Sequence, residues 1–234
     1  MRLDRFVANN SGLSRKEATL AIRAGRVLID DNRCTQSNTA TRSGQTITLD
    51  GKSLNEATPI YWMLNKPKGT VCANTDADHP TVFDLLNLKT LHPSHRNNLQ
   101  IAGRLDIDTT GLVLITSDGD WNHAITSPHK VLGKRYRVTT AEPISADAIE
   151  QLQNGMQLRN DTKPTKPAKV TPLTQNCCLL EITEGRYHQV KRMLAATGNK
   201  VNALHREAVA HIELDSTLTP GQYRPLTPAE INLP

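Results

Sequence analysis

The residues with the clearest chemical potential lie in Gly103-Arg104-Leu105-Asp106-Ile107-Asp108-Thr109-Thr110-Gly111, where two carboxylates stand two residues apart between a pair of glycines. The glycines and short polar residues mark a loop. Leu112-Val113-Leu114-Ile115-Thr116 follows as a short apolar run rich in β-branched residues, the pattern of a buried strand. An acid is thus presented on a loop with a rigid strand directly behind it, which keeps a reactive group steady and reachable. On the residues alone, the segment reads equally as a site or as a turn whose carboxylates bond their own backbone. A calcium loop is disfavoured, because Gly111-Leu112-Val113-Leu114 stands where its closing glutamate belongs.

A second cluster is Glu184-Gly185-Arg186-Tyr187-His188-Gln189-Val190-Lys191-Arg192-Met193-Leu194, a loop turning into a helix. Val190, Met193, Leu194 and Thr197 recur at helical spacing and form the inward stripe, with Gly198 as the stop. Arg186, His188, Gln189, Lys191 and Arg192 are left around the helix start, where the backbone already favours anions. A basic solvated surface explains them too, but so many donors beside a turn favour contact with phosphate or a carboxylate.

Other chemistries find little support. The eight histidines are scattered, with no metal-ligand spacing, so no metal site is expected. There is no phosphate-binding glycine loop, dinucleotide fingerprint or nucleophile elbow, so no cofactor is expected. Cys34, Cys72, Cys177 and Cys178 form no Cys-x-x-Cys pair and read as reduced thiols of a cytosolic protein. The N-terminus does not read as a signal peptide, and no apolar run is long enough to span a membrane.

A chain of 234 residues with a formal charge of +5 and a pI near 9.1 leans toward a polyanionic partner. Its 3% aromatic content argues against a broad stacking sheet of the kind used to read RNA.

The elements that must position these clusters fall in two groups. Leu3, Phe6, Val7 and Asn10 share a helical face. Ser14 and Glu17 form a capping box for a second helix through Ala18, Ala21 and Ile22 that ends at Gly25. Val27-Leu28-Ile29 and Ile47-Thr48-Leu49 read as strands, and residues 52–59 as a polar linker. Beyond it, Ile60–Leu64 is a strand, residues 76–100 are irregular with a short helical piece near Val82–Leu86, and Lys134–Thr139 alternates as a strand placing Lys134, Tyr136 and Val138 on one face. Ser145 caps a helix through Leu152, and Cys177–Ile182 is a further strand.

Gly103-Arg104-Leu105-Asp106-x-x-Thr109-x-Gly111-Leu112 resembles the signature of the RsuA-type pseudouridine synthases, which isomerise uridine in ribosomal RNA. Asn65-Lys66-Pro67-x-Gly69, Lys134-x-Tyr136, Glu184-Gly185-Arg186-x-His188-Gln189-Val190 and Leu204-His205-Arg206 resemble further elements of that family. Leu3-Asp4-Arg5-Phe6, Ser14-Arg15 and Gly25-Arg26-Val27 resemble the S4 RNA-binding module. One departure is Lys191, where related synthases commonly carry arginine; lysine cannot make a two-pronged fork with a carboxylate.

The resemblance implies an α+β protein: an S4-like domain at residues 1–57, then a catalytic domain at 58–234 built on a mainly antiparallel sheet with flanking helices. It implies isomerisation of a uridine in 16S ribosomal RNA, without cofactor, with Asp106 as the catalytic aspartate, either attacking the ribose or base or taking a sugar proton. Tyr136 and Leu204 would sandwich the uracil, Lys191 would pair with Asp106, and Arg104 would fill the gap left by the flipped base or hold the flipped backbone. Asp108 would brace the loop. Arg2, Arg5, Arg15, Lys16, Arg23, Arg26, Arg186, His188, Gln189 and Arg192 would meet RNA. The expected protein is a cytoplasmic monomer acting on free RNA or a partly assembled small-subunit particle. A synthase acting on 23S RNA, and a non-catalytic S4-type ribosome-assembly protein, are the alternatives.

Overall fold

The fold was analysed in a computed structural model that describes residues 1–42, 44–55, 58–127 and 130–233. Two compact units emerge: Met1–Ile60 with Asn87–Gln100 and Thr116–Gly119, and Tyr61–Leu86 with Ile101–Ile115 and Asp120–Pro234.

In the first unit, α1 (Leu3–Ser11) ends at Gly12, whose φ of 79° only glycine adopts freely. Ser14 and Glu17 exchange side-chain and backbone bonds to start α2 (Arg15–Arg23), as their spacing requires. Strands β1 (Val27–Ile29), β2 (Asn32–Arg33), β3 (Ile47–Leu49) and β4 (Lys52–Ser53) form an antiparallel sheet in the order β2-β1-β3-β4. Left-handed Asp30-Asp31 and Asp50-Gly51 close its two hairpins. Leu3, Phe6, Val7, Ala18, Ile22, Val27 and Ile47 make the core. Helix α3 (Pro93–Asn98) packs on α1.

Two expectations change here. The expected linker begins as strand β4, and its residues 56 and 57 lie outside the described residues. Val82–Leu86 forms successive turns and no helix, because the Asp84 carboxylate accepts from the Thr81 amide and hydroxyl and folds the segment on itself. The stretch instead holds a 3-10 turn at Leu88–Thr90 and α3, begun by Pro93, whose missing N–H is harmless at a first turn.

The second unit is a nine-stranded sheet flanked by helices. Its strands are β5 (Tyr61–Lys66), β6 (Gln100–Ala102), β7 (Thr110–Thr116), β8 (Lys134–Thr140), β9 (Lys169–Thr174), β10 (Cys177–Ile182), β11 (Val201–Val209), β12 (Ile212–Glu213) and β13 (Tyr223–Pro225). The main path runs β13-β5-β7-β11-β8-β10-β9, with β6 on β7 and β12 on β11. The pairs β8–β10, β9–β10, β11–β12, β8–β11 and β5–β13 are antiparallel, whereas β7 and β11 run parallel. Helices α4 (Gly119–Thr126), α5 (Ala146–Asn154), α6 (Gln189–Ala196) and α7 (Pro228–Ile231) complete it.

Leu112 through Ile115 are fully buried, so β7 is covered on both faces, which is why its apolar run does not alternate. Met63, Leu112, Leu114, Trp121, Ile125 and Ile212 form the core on one of those faces. The loop before β7 therefore rests on a strand buried on both faces.

Candidate active site

The loop at 103–109 is held from beneath by two buried cations that have no carboxylate partner among the described residues. Lys66, at the end of β5 and fully buried, donates from Nζ to the carbonyls of Thr109 at 2.8 Å, Pro67 at 3.0 Å and Ile107 at 3.4 Å. Arg206, on β11 and 1% exposed, donates to Leu112 O and Gly103 O at 2.8 Å and to Arg104 O at 3.4 Å. Burial pushes the Lys66 ammonium below the usual lysine range, an effect the nearby Arg206 charge reinforces. The Leu105 amide donates to the Cys72 sulfur, and the Gly69 amide to Ile107 O. Every turn of the loop is thus tied to the backbone around it.

Gly111 is fixed by the same geometry. Its φ is +101°, and a side chain's first carbon there would lie 2.3 Å from Arg206 O, because the parallel neighbour β11 runs against it.

Asp106 emerges from this loop partly exposed. Its Oδ2 accepts from Lys191 Nζ at 2.8 Å, and its Oδ1 lies 3.4 Å from His188 Nε2. Lys191 also donates to Asp108 Oδ1 at 2.6 Å, so one ammonium bridges both carboxylates. Partial burial opposes charge at Lys191, but the two carboxylates outweigh it and hold the ammonium above the usual lysine range. Burial likewise opposes ionisation of Asp108, and Lys191 outweighs it, leaving that carboxyl below its usual range. Asp108 is therefore a second partner of Lys191 as well as a loop residue.

Asp106 opens on a cavity of about 710 Å³. Tyr136 from β8 and Leu204 from β11, both largely buried, form apolar walls, and Lys134 lies beside them. Arg104 reaches the cavity from its exposed position, and its guanidinium has no partner among the described residues. Asp106, Arg104, Tyr136, Lys191 and Leu204, far apart in sequence, thus line one cavity.

The basic cluster at the start of α6 divides. His188 and Lys191 face Asp106. Arg186 instead donates to Asp161, Glu184 and the carbonyls of Lys163 and Pro164, while Arg192 donates to Asp161 and Arg159 O. Gln189 is buried and bonds Glu184. These three brace the loop at 159–166 against the helix start, with no donor left pointing outward from the Arg186 fork. In the first unit, Arg2 and Arg15 pair with buried Asp4, and Arg26 forks onto Asp50. Arg5, Lys16 and Arg23 are exposed and make no ion pair among the described residues. Several of the arginines expected to meet RNA are thus engaged by carboxylates of the protein itself.

Lys66, Arg206 and Asp161 have structural tasks that sequence reading did not assign. The available signal was a charge in a buried register: Arg206 lies between Leu204 and Ala208 on the inward face of β11. Asp76, Asp78 and His79 bring ligand-type atoms within 4.8 Å of one another, but Asp76 Oδ1 already accepts from the amides of Asp78 and His79 in a surface turn.

Comparison with known proteins places the chain in a family. The family model for RNA pseudouridylate synthase matches residues 60–196, more than half of the chain, and that for the S4 domain matches residues 1–47. The chain is 47% identical over 232 residues to a protein of Escherichia coli (strain K12) named ribosomal small subunit pseudouridine synthase A, covering 99% of this chain and 98% of that one. A Yersinia pestis protein of the same name is 46% identical over 232 residues, covering 99% and 97%. A crystal structure of a pseudouridylate synthase aligns with a TM-score of 0.71 at 44% identity, covering 99% of this chain and 98% of the other.

Proposed function

This chain belongs to the RNA pseudouridylate synthase family, and on that footing we propose that it converts one uridine of 16S ribosomal RNA to pseudouridine, with Asp106 as the reacting acid. The observation that carries the assignment of Asp106 is its position: a carboxylate at the cavity, one oxygen held by the Lys191 ammonium and the other beside the His188 imidazole, on a loop anchored from below. The choice of 16S RNA rests on the full-length similarity to synthases named for the small subunit.

The reaction breaks the bond from ribose C1′ to uracil N1, turns the base, and joins C1′ to C5; the hydrogen of C5 is lost and N1 gains one. No water is consumed, so the second carboxylate that glycoside hydrolysis recruits is not required. Asp106 supplies the one acid–base or nucleophilic group the isomerisation needs. Lys191 and His188 hold its carboxylate in one orientation, so little is lost to reorganisation when charge develops at the ribose and base. Tyr136 and Leu204 flank the uracil as it turns.

The target must leave its stack first, which costs a few kcal/mol and least for an unpaired base. Arg104, exposed and unpaired among the described residues, is the group suited to occupy the vacated position. Residues 1–57 serve as the RNA-binding domain, with Arg5, Lys16 and Arg23 offering free cations to phosphate, and residues 58–234 as the catalytic domain. No helix among the described residues is long and apolar enough to cross a membrane. The protein acts in the cytoplasm as a monomer, on free RNA or a partly assembled small-subunit particle.

Mapping pseudouridines in 16S and 23S RNA from cells lacking the protein tests this reading. One 16S position should lose its pseudouridine and regain it when the wild-type chain is supplied. Loss at a 23S position instead would move the target, and unchanged maps would overturn the activity.

A further inference from the structure

Tyr187 is exposed where an aromatic ring has no structural reason to be. Of the protein's eight Phe, Trp and Tyr residues, it alone is exposed, at 78%; the others are buried or partly buried. It belongs to the lining of the Asp106 cavity. One face of its ring stacks on the His188 imidazole, with centroids 3.8 Å apart and planes 18° from parallel. Its exposure leaves the opposite face open to solvent.

The presentation of this ring is built in. His188 adopts a left-handed backbone, φ +48° and ψ 34°, a conformation costly for a residue with a side chain. His188 is also anchored through Nε2, 3.4 Å from Asp106 Oδ1. The Tyr187 ring stacks on the imidazole, and the imidazole edge lies beside the Asp106 carboxylate, so a chain of contacts links the cavity rim to the reacting group. A strained residue that carries an exposed ring at the mouth of a cavity points to a ligand with a flat face.

Taking the RNA synthase reading as its basis, we propose that Tyr187 is a stacking platform for a nucleobase adjacent to the flipped uridine. Extruding a uridine leaves its neighbour with an unstacked face, and an aromatic ring held rigidly at the cavity rim replaces the lost partner. Such stacking is indifferent to base identity, so Tyr187 contributes to holding the extruded geometry without reading sequence. A single ring suffices for this task, consistent with a chain so poor in aromatics.

The test compares wild type, Tyr187→Ala, Tyr187→Phe and Tyr187→Trp on small-subunit RNA prepared from cells lacking the protein, as free RNA and as isolated particles. Tyr187→Ala should raise KM about 5- to 150-fold, the worth of one stacked base, with kcat within about twofold. Phe and Trp should keep the wild-type KM. An RNA in which one flanking nucleotide is abasic should bind wild type more weakly, with no further loss for Tyr187→Ala. An unchanged KM in Tyr187→Ala would overturn the platform, as would a fall in kcat at constant KM, which would mean that the ring acts through His188 on Asp106. An abasic effect of equal size in both proteins would overturn it too. A wild-type protein that converts no uridine overturns the synthase reading along with the platform, whereas an active wild type with any of the other contrary results overturns the platform alone.

Discussion

Replacing Lys191 with methionine removes the cation between Asp106 and Asp108 while keeping most of the side chain's length. Its ammonium lies 2.8 Å from one carboxylate and 2.6 Å from the other, so the two oxygens are at most 5.4 Å apart, the sum of the two distances. At that separation two unit negative charges repel by about 0.8 kcal/mol under water-like screening and about 3 kcal/mol at an effective dielectric near 20. Asp106 is 28% exposed and Asp108 52%, which places the effect between those limits, at about 1–2 kcal/mol. The repulsion, with loss of the bond that orients Asp106, displaces the carboxylate from the reacting base. A shift of about 1 Å at such a group lowers rate on the order of a hundredfold. Lys191→Met should therefore reduce kcat about a hundredfold, read as release of label from C5 of uridine in ribosomal RNA. Adding Asp108→Asn removes the repelling charge and should recover about 5- to 30-fold of that loss, the rate equivalent of 1–2 kcal/mol. Lys191→Arg keeps the positive charge and should retain most activity. A Lys191→Met variant with wild-type kcat, or a double variant no better than the single one, would refute this electrostatic account.

Other predictions concern the scaffold. Gly111→Ala should destabilise the protein by about 3 kcal/mol or more, because the new methyl meets Arg206 O and the left-handed backbone is strained; a melting curve like that of wild type would contradict it. Arg224 holds Glu230 through a two-pronged contact and Asp215 through Nε, and the carboxyls fall to about 2 from ordinary values of 4.5 and 3.8, Glu230 chiefly through Arg224 and Asp215 chiefly through Thr217. Because the folded values are depressed, this stabilisation is present above about pH 4.5 and is lost as pH falls toward 2. Glu230→Gln should flatten the decline of the melting temperature across that window, and an unaltered slope would count against it. Lys66→Met removes an ammonium from three loop carbonyls, so kcat should fall with little change in RNA affinity; an RNA Kd that worsens in parallel would assign Lys66 a different task.

Much of this arrangement could be read before any coordinates. The capping box at Ser14, the stop at Gly25, and the unbroken apolar run of β7 are local signals, set by neighbours within one turn or one strand. Family resemblance pairs Lys191 with Asp106, and the two lie 2.8 Å apart. What escaped was long-range charge bookkeeping. Whether an arginine is free depends on which carboxylate folding brings beside it, and Asp161 lies 25 residues before Arg186. Strand β9 escaped because it carries Pro172 and is almost wholly exposed, so it lacks both apolar alternation and the usual strand composition. Buried Lys66 and Arg206 were legible only as charges in apolar registers, since their partners are backbone carbonyls that sequence does not display.

The central claim is that Asp106 reacts with the extruded uridine, and single-turnover conversion by purified Asp106→Asn tests it most directly. That substitution keeps the shape of the side chain and removes its charge. RNA affinity should stay within about threefold of wild type, since phosphate contacts dominate binding, while pseudouridine formation should be undetectable. Product formed at a rate near that of the wild type would contradict the account and move the chemistry to another group in the cavity.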